Sequence, residues 1–463
     1  MQDANSLAPG LMIIHGNRLE TLRELAVDWM RAHPLAPLEN EVILVQSNGI
    51  AQWLQMALAA DPAQGGCGIA AALDVQLPAR LLWDSYRGVL GRDSVPEQSP
   101  LDKQPLTWRL MRLLPALQDQ PDFAPLKRFL ADDHDCRKRY QLAVRLADLF
   151  DQYQVYRADW LDAWANGHDV LITARGEHRP LEEHQRWQPA LWRILRDDVA
   201  ATQGDAGLNS SRAQVHQRFL KATEHLEGQD CPPGLPRRLI IFGISSLPQQ
   251  TLEALAALSR CCQIVLCVHN PCQFYWADII EHKDLLRAQG YRQRGKTGMP
   301  EALDVLGTGD ADDALHLHAQ PLLAAWGKQG RDYLRLLDEH DDAGNYQTLF
   351  EQQALRIDMF EPFSGEDRHC LLSQLQDDIR ELRPVAETQG HWPALPAADD
   401  SIVFHIGHGP QREVEILHDQ LLAAFSADPH LRPRDIIVMV PDIDRYAPHI
   451  EAVFGQLPTD DPR

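Results

Sequence analysis

The stretch VILVQSNGIAQWLQMAL, residues 42–58, decides the fold. Residues 42–45 are a short apolar run bounded by polar residues, the pattern of a central strand covered on both faces. Ser47 or Asn48 can then cap a helix in which Ile50, Trp53, Leu54, Ala57 and Leu58 recur at the spacing of one buried stripe. Gln46, Asn48, Gln52 and Gln55 are left in the loop and on the other side of that helix. Their amides combine donors and acceptors, the chemistry that reads base edges, although a solvated loop and helix face would use the same residues.

Working outward, residues 11–14 form a second apolar run, followed by the turn His15-Gly16-Asn17-Arg18 and a helix carrying Leu19, Leu22, Leu25 and Ala26. Residues 11–58 therefore read as a strand–helix–strand–helix unit with parallel strands, after a loose leader at 1–10. From 79 to 225 the spacing is helical throughout. Its clearest element is 139–156, where Leu142, Leu146, Leu149, Phe150 and Tyr153 make an apolar stripe and Arg145, Asp148, Asp151 and Gln152 lie off it. Asp148 and Asp151, three apart, share a helix face and form either a working pair or solvated surface.

The α/β pattern returns at CPPGLPRRLIIFGISSLPQQTLEALAAL, with a strand at 239–242 and a further strand at 263–268. Between them Ser246 and Gln249 suggest a capping box before a helix carrying Leu252, Leu255 and Leu258. The sheet thus resumes after a helical insertion. Residues 276–400 are mixed, with Gly-Asp clusters near 307–313, an acidic run Asp338-Glu339-His340-Asp341-Asp342 that reads as a solvated loop, and a linker at 393–400. Strands are expected at 402–406 and 436–440, with Pro410 opening a helix that carries Val414, Leu417, Leu421, Leu422 and Phe425. Two strands and two helices do not cover both faces of a parallel sheet, so this last domain reads as incomplete and the polypeptide as the N-terminal part of something longer.

Composition narrows the function. At 463 residues with a formal net charge of −22, the surface is not a generally basic coat for nucleic acid, though a channel is compatible with it. The 44 basic residues are mostly arginine, which suits phosphate contacts and stacking but also follows from gene base composition. The eight cysteines contain no CxxC pair and no matching histidine spacing, so no zinc site is expected. No apolar run approaches about 20 residues and no basic-then-apolar leader opens the chain; a cytoplasmic protein, with no membrane partner, is the expectation.

A parallel sheet interrupted by helices and followed by a second sheet is the layout of superfamily 1 helicase motors, which bind ATP at the first strand–helix turn. That turn, His15-Gly16-Asn17-Arg18-Leu19, holds one glycine and no lysine, whereas a phosphate loop needs backbone N–H groups and a lysine aimed at the phosphates. The strand at 239 leads into Phe242-Gly243-Ile244-Ser245-Ser246, with no carboxylate for magnesium. No GxSxG elbow and no carboxylate–lysine nuclease arrangement stands out. No catalytic residue and no metal site is expected, nor any cofactor in this chain.

The segments ILVQSNGIAQWLQM, ADLFDQYQVYRADWL, CPPGLPRRLIIFGISSLP, NPCQFYWADI, PLLAAWGKQGRDYL, GPQREVEILHDQLL and RPRDIIVMVPDIDRYAPHIEAVFG closely resemble the RecC family, the gamma subunits of exodeoxyribonuclease V (RecBCD). The resemblance covers residues 11–463 nearly end to end. It implies a superfamily 1 helicase-like α/β fold without a functional P-loop, with a large all-helical insertion and the start of a second α/β domain. The expected boundaries are a leader at 1–10, a first domain at 11–78 and 226–275, the insertion at 79–225, a helical and irregular region at 276–400, and a second domain from 401 to 463. It further implies a heterotrimer with RecB and RecD, which use ATP and magnesium. The role implied is to split duplex ends, channel single strands and scan the 3′-ended strand for the recombination hotspot Chi. The Chi-scanning positions that match are Gln46, Gln52, Leu77, Trp83, Asp148, Leu149, Asp151 and Arg157. Arg212 lies in a stretch that diverges, and Asn48 stands where the family has threonine. Trp83 either stacks on a base or fills the core, and Leu149 is a core candidate as well. The alternatives are a scaffold that docks RecB and RecD without reading sequence, and an independent ATP-driven helicase, which the missing nucleotide motifs disfavour.

Overall fold

The computed structural model describes residues 8–173, 176–226, 232, 234–277, 320–341, 359–365 and 370–455. The chain divides into two units, Met1–Phe363 with Gln376–Trp392, and Ser364–Leu375 with Pro393–Arg463.

The first unit begins with β1 (Gly10–Gly16), α1 (Leu19–Ala32), β2 (Glu41–Val45), α2 (Asn48–Ala59), β3 (Leu73–Gln76) and α3 (Pro78–Leu90). A helical stretch follows: α4 (Lys103–Leu117), α5 (Ala124–Leu130), α6 (Arg137–Tyr156) and α7 (Ala158–Ala165). A small hairpin of β4 (Val170–Ile172) and β5 (His178–Pro180) then leads to α8 (Trp187–Leu208) and α9 (Arg212–Thr223). The unit returns to the sheet with β6 (Arg238–Phe242), α10 (Gln249–Leu258) and β7 (Gln263–His269), and adds α11 (Pro321–Trp326) and α12 (Lys328–Asp338). The main sheet has five strands in the order β1-β7-β6-β2-β3, every neighbouring pair parallel. Strands distant in sequence thus interleave: β7 and β6 lie between β1 and β2.

The unbroken apolar runs of these strands have a direct physical use. Successive side chains point to opposite faces of a sheet, so each run fills two cores. Ile13, Leu44, Ile241 and Leu266 face a core shared with Tyr86 of α3, Phe219 of α9 and Leu255 of α10. Met12, Ile14, Ile43 and Phe242 face the other, shared with Leu22 and Trp29 of α1 and Leu54 and Leu58 of α2. A third core, built within the helical stretch, joins Leu106, Leu110, Leu146, Phe150, Trp164 and Leu195. The first and last helices of the span expected as an insertion, α3 and α9, contribute to the sheet's core.

Several local expectations change. The edge strand β3 and the β4–β5 hairpin carry too little apolar pattern to stand out: β3 is only LDVQ, none of it buried. The capping box at Ser246 and Gln249 does not form. Pro248 occupies the cap position with no side-chain hydrogen bond, Ser246 accepts from Gln329 Nε2 at 3.0 Å, and Gln249 donates to Glu253 at 2.9 Å. On α6 the buried positions are Ala143, Leu146, Ala147, Phe150 and Gln154, so the buried stripe is rotated and Leu149 is only half-buried.

In the second unit, helices Pro410–Ala427 and Ile443–Phe454 pack together, with His418 edge-on to Phe454 at 5.0 Å and the Tyr446 hydroxyl donating to Glu413 at 2.6 Å. The strands expected at 402–406 and 436–440 are not strands here; neither segment joins a sheet, and Phe404, Ile406 and Met439 are 87%, 94% and 84% exposed. An apolar run supplies only a tendency, and a strand exists when a neighbour pairs with its backbone. The Gly-Asp clusters near 307–313 lie outside the described residues. Among the described residues no helix is long and apolar enough to cross a membrane.

Candidate nucleic-acid interface

Parallel α/β sheets place ligands at the C-terminal ends of their strands, where the loops diverge. Here Gln46 leaves β2 and Ser245 leaves β6, neighbouring strands whose last paired residues are Val45 and Phe242. Gly243 makes the turn possible: its φ is +65°, and an added Cβ would come within 3.1 Å of Ile50 on α2. These loops border a cleft of about 440 Å³. One wall is Leu77, Leu82, Trp83 and Tyr86 at α3, and another is Val155 and Tyr156 at the end of α6. Ile244, Leu247 and Pro248 also line it, and Gln46, Asp102, Arg212 and Gln250 add polar groups.

Among the candidate residues, Gln46, Leu77, Trp83 and Arg212 meet at this cleft. The Trp83 ring packs against the sheet's core and also lines the cleft, and its indole N–H is shared between the carbonyls of Pro96 and Glu97 at 3.1 and 3.0 Å. Asp151 joins through Arg212, whose Nε donates to Asp102 at 3.0 Å and whose Nη2 lies 3.3 Å from Asp151. Asp148 is paired with Lys103, next to Asp102 in the chain. Burial raises the Asp151 carboxyl above its ordinary range, against the pull of Arg212, while the Lys103 hydrogen bond lowers that of Asp148. Three carboxylates thus surround two cations that are already paired, so these cations are not a free grip for phosphate.

The remaining candidates stand elsewhere. Asn48 and Gln52 are exposed on α2 and do not line the cleft. Leu149 is outside it as well. Arg157 is engaged within the helical stretch, donating to Asp159 at 3.0 and 2.7 Å, bonding the Ile172 carbonyl, and lying 3.9 Å over the Trp160 ring. Tyr156, Asp102, Ser245 and Gln250 were not singled out from sequence. Only Tyr156 carried a signal, three residues beyond Tyr153 on a helix already marked as a candidate.

Beneath the cleft, Tyr86 is fixed by a buried chain of hydrogen bonds. The Glu253 carboxylate can only accept, so His216 Nε2–H donates to it at 2.8 Å, and His216 Nδ1 hydrogen-bonds the Tyr86 hydroxyl at 2.7 Å. Burial, reinforced by the Glu253 charge, pushes the Tyr86 hydroxyl up and keeps it protonated. The His216 hydrogen bond holds the Glu253 carboxyl below its usual 4.5, burial opposing. A carboxyl lowered by folding stabilises above its unfolded value and loses that contribution as pH falls through the folded value. Glu253→Gln should therefore be less stable than the parent chain at pH 7 by at most about 1 kcal/mol, the group being partly solvated. In urea titrations that difference should shrink as pH falls below 4.5; a difference independent of pH would show that the charge plays no part.

The turn after β1 is occupied by the chain itself. Met359 N–H donates to the His15 carbonyl at 2.8 Å, and the Asn17 amide grips Glu361, donating to its carbonyl at 2.8 Å and accepting from its N–H at 2.9 Å. Arg18 donates to the Pro362 carbonyl at 2.7 Å and lies 4.8 Å over the Phe363 ring.

Fold and site define an α/β protein whose parallel sheet opens an apolar, amide-edged cleft at the C-terminal ends of its strands. Residues 11–382 match the family model described as RecC, N-terminal domain, and the chain belongs to the RecC family. It is 42% identical over 470 residues to RecBCD enzyme subunit RecC of Escherichia coli (strain K12), covering 97% of this chain and 38% of that protein. With RecBCD enzyme subunit RecC of Haemophilus influenzae it shares 35% identity over 479 residues, 98% of this chain and 40% of the relative. With that of Mycolicibacterium smegmatis the identity is 28% over 458 residues, 96% and 34% respectively. The chain spans about two-fifths or less of the length of these relatives.

Proposed function

We propose that the chain is a non-catalytic, DNA-binding part of a RecBCD-type helicase–nuclease (exodeoxyribonuclease V). It would work with RecB and RecD to split duplex ends, guide single strands and recognise Chi in the 3′-ended strand during double-strand break repair. The observation that carries this reading is the convergence of Gln46, Leu77, Trp83 and Arg212 on one cleft at the sheet's C-terminal edge, in a chain whose relatives are named RecBCD subunits. A helicase-like descent accounts for the sheet, and the turn after β1 supports a motor that has lost its nucleotide. Where a phosphate loop would present a lysine and free N–H groups, Asn17 and Arg18 hold residues 361–363. ATP and magnesium then belong to the partner subunits.

The scaffold reading has one observation in its favour, since Asn48, Gln52 and Arg157 stand away from the cleft. Gln46→Ala in a reconstituted heterotrimer separates the two. The DNA-reading role predicts a Chi response reduced at least about tenfold with duplex-end affinity nearly unchanged, the loss of one base contact. A scaffold predicts no change in either. ATP turnover by the isolated chain above background would overturn the non-catalytic assignment.

A further inference from the structure

The segment lying on the turn after β1 is held in a regular way. Met359, Glu361 and Phe363, alternate residues, each give their backbone N–H to the first unit: to the His15 carbonyl at 2.8 Å, to Asn17 Oδ1 at 2.9 Å and to Asp377 Oδ1 at 2.8 Å. Pro362, which has no N–H to satisfy, falls between two of them, and its carbonyl accepts from Arg18. Two of the three acceptors belong to buried side chains, Asn17 at 4% and Asp377 at 1% exposure, so lifting the segment would strip donors from polar atoms that water does not reach freely. From the side of the turn the fit is equally specific. Asn17 N–H donates to the Met359 carbonyl at 3.3 Å, Gly16 and Met359 form a parallel bridge, and a Cβ added at Gly16 would sit 3.0 Å from the Met359 carbonyl oxygen. The glycine that a nucleotide-binding turn would offer to phosphate therefore serves the chain's own backbone. Helix α1 also carries a carboxylate, Glu20, in its first turn, where the helix dipole would otherwise favour a bound anion.

We propose that residues 359–363 are a built-in strap that takes the place of nucleotide at this turn and holds it in one state at any nucleotide concentration. In ATP-driven machines the γ-phosphate orders such loops and its loss releases them. Here the ordering contacts are covalently part of the chain and are not consumed by a reaction cycle. Phe363 is the last residue of the first unit before the chain passes to Ser364 of the second, so the strap also fixes where the chain leaves the first unit. Asn17 is the principal holding residue, because its one amide satisfies both polar groups of Glu361. This assignment rests on the lost-nucleotide reading above.

The test is hydrogen exchange of the full chain, read by mass spectrometry on peptides spanning residues 359–363. In the parent chain these amides should be protected, and millimolar Mg-ATP should leave their exchange unchanged. Asn17→Ala should speed exchange across 359–363 by about tenfold or more, the scale of losing its two hydrogen bonds, while β6 and β7 keep their protection. Arg18→Ala should speed it by about threefold, the smaller loss of one partly exposed hydrogen bond, and decides the matter if Asn17→Ala does not fold. Unchanged exchange at 359–363 in folded Asn17→Ala, or in Arg18→Ala where Asn17→Ala is unfolded, overturns the strap. A change at 359–363 when Mg-ATP is added to the parent chain shows that nucleotide governs the turn and overturns it as well. ATP turnover by the chain, which is how the underlying reading would fail, is measured separately and is distinguishable from either result.

Discussion

Replacing Glu41 by alanine is expected to destabilise the sheet by about 3–5 kcal/mol, because it strands a buried guanidinium. Arg238, at the start of β6, is fully buried and donates through Nε to Glu41 at 3.0 Å and through Nη1 to the His33 carbonyl at 2.6 Å, with Nη2 also on Glu41. Glu41 opens β2, so the pair ties neighbouring parallel strands at the end of the sheet opposite the cleft. Attraction between the buried guanidinium and the largely buried carboxylate offsets the cost of desolvating them; removing Glu41 leaves the cost of burying Arg238 uncompensated. The measurement is urea unfolding followed by tryptophan fluorescence, which should show a lower midpoint with an unchanged slope. Replacing both residues by apolar ones, Arg238→Met with Glu41→Leu, should recover much of the loss. A double variant as unstable as Glu41→Ala would assign the effect to packing alone.

Phe150→Ala should cost about 3–5 kcal/mol in the helical core, the range for truncating a fully buried aromatic. Phe150 is 0% exposed, stacks on Trp192 with centroids 5.6 Å apart and meets Tyr153 edge-on at 6.0 Å. It also anchors α6, which carries Asp148, Asp151 and Tyr156 to the cleft side. The loss should therefore appear as faster amide exchange along α6 while β1, β6 and β7 keep their protection, since the sheet's cores use other residues. Uniform loss of protection across the first unit would show that helical stretch and sheet unfold as one.

How much of this was legible in advance varies by element. The runs in β1, β2, β6 and β7 are apolar without interruption, and only a strand covered on both faces uses every residue of such a run. The stripe on α2 was legible for the complementary reason, with Ser47 capping as expected by accepting from Ile50 N–H at 3.4 Å. β3 escaped because four residues with a central aspartate carry almost no pattern. The segments 402–406 and 436–440 misled because their apolar residues lack sheet partners among the described residues. The capping box at Ser246 failed because the helix starts at Gln249 with Pro248 at the cap, leaving Ser246 two residues too early to cap it.

The candidate site divides in the same way. Gln46, Leu77, Trp83 and Arg212 converge, yet nothing local in their sequence spacing requires it; the contact between Gln46 and Ser245 spans 199 positions. Sequence alone determined the central strands β1, β2, β6 and β7 and the helix α2, that the turn after β1 carries no lysine, and which residue types could read a base. These depend on local periodicity and composition. Only the tertiary structure decided that Arg212 is tied to Asp102 and Asp151, that Arg157 serves the helical stretch, and that the Gln46 amide oxygen accepts from Ser245. Those outcomes depend on which charges and donors the packing brings within reach of each polar group, several of them from segments far apart in the chain.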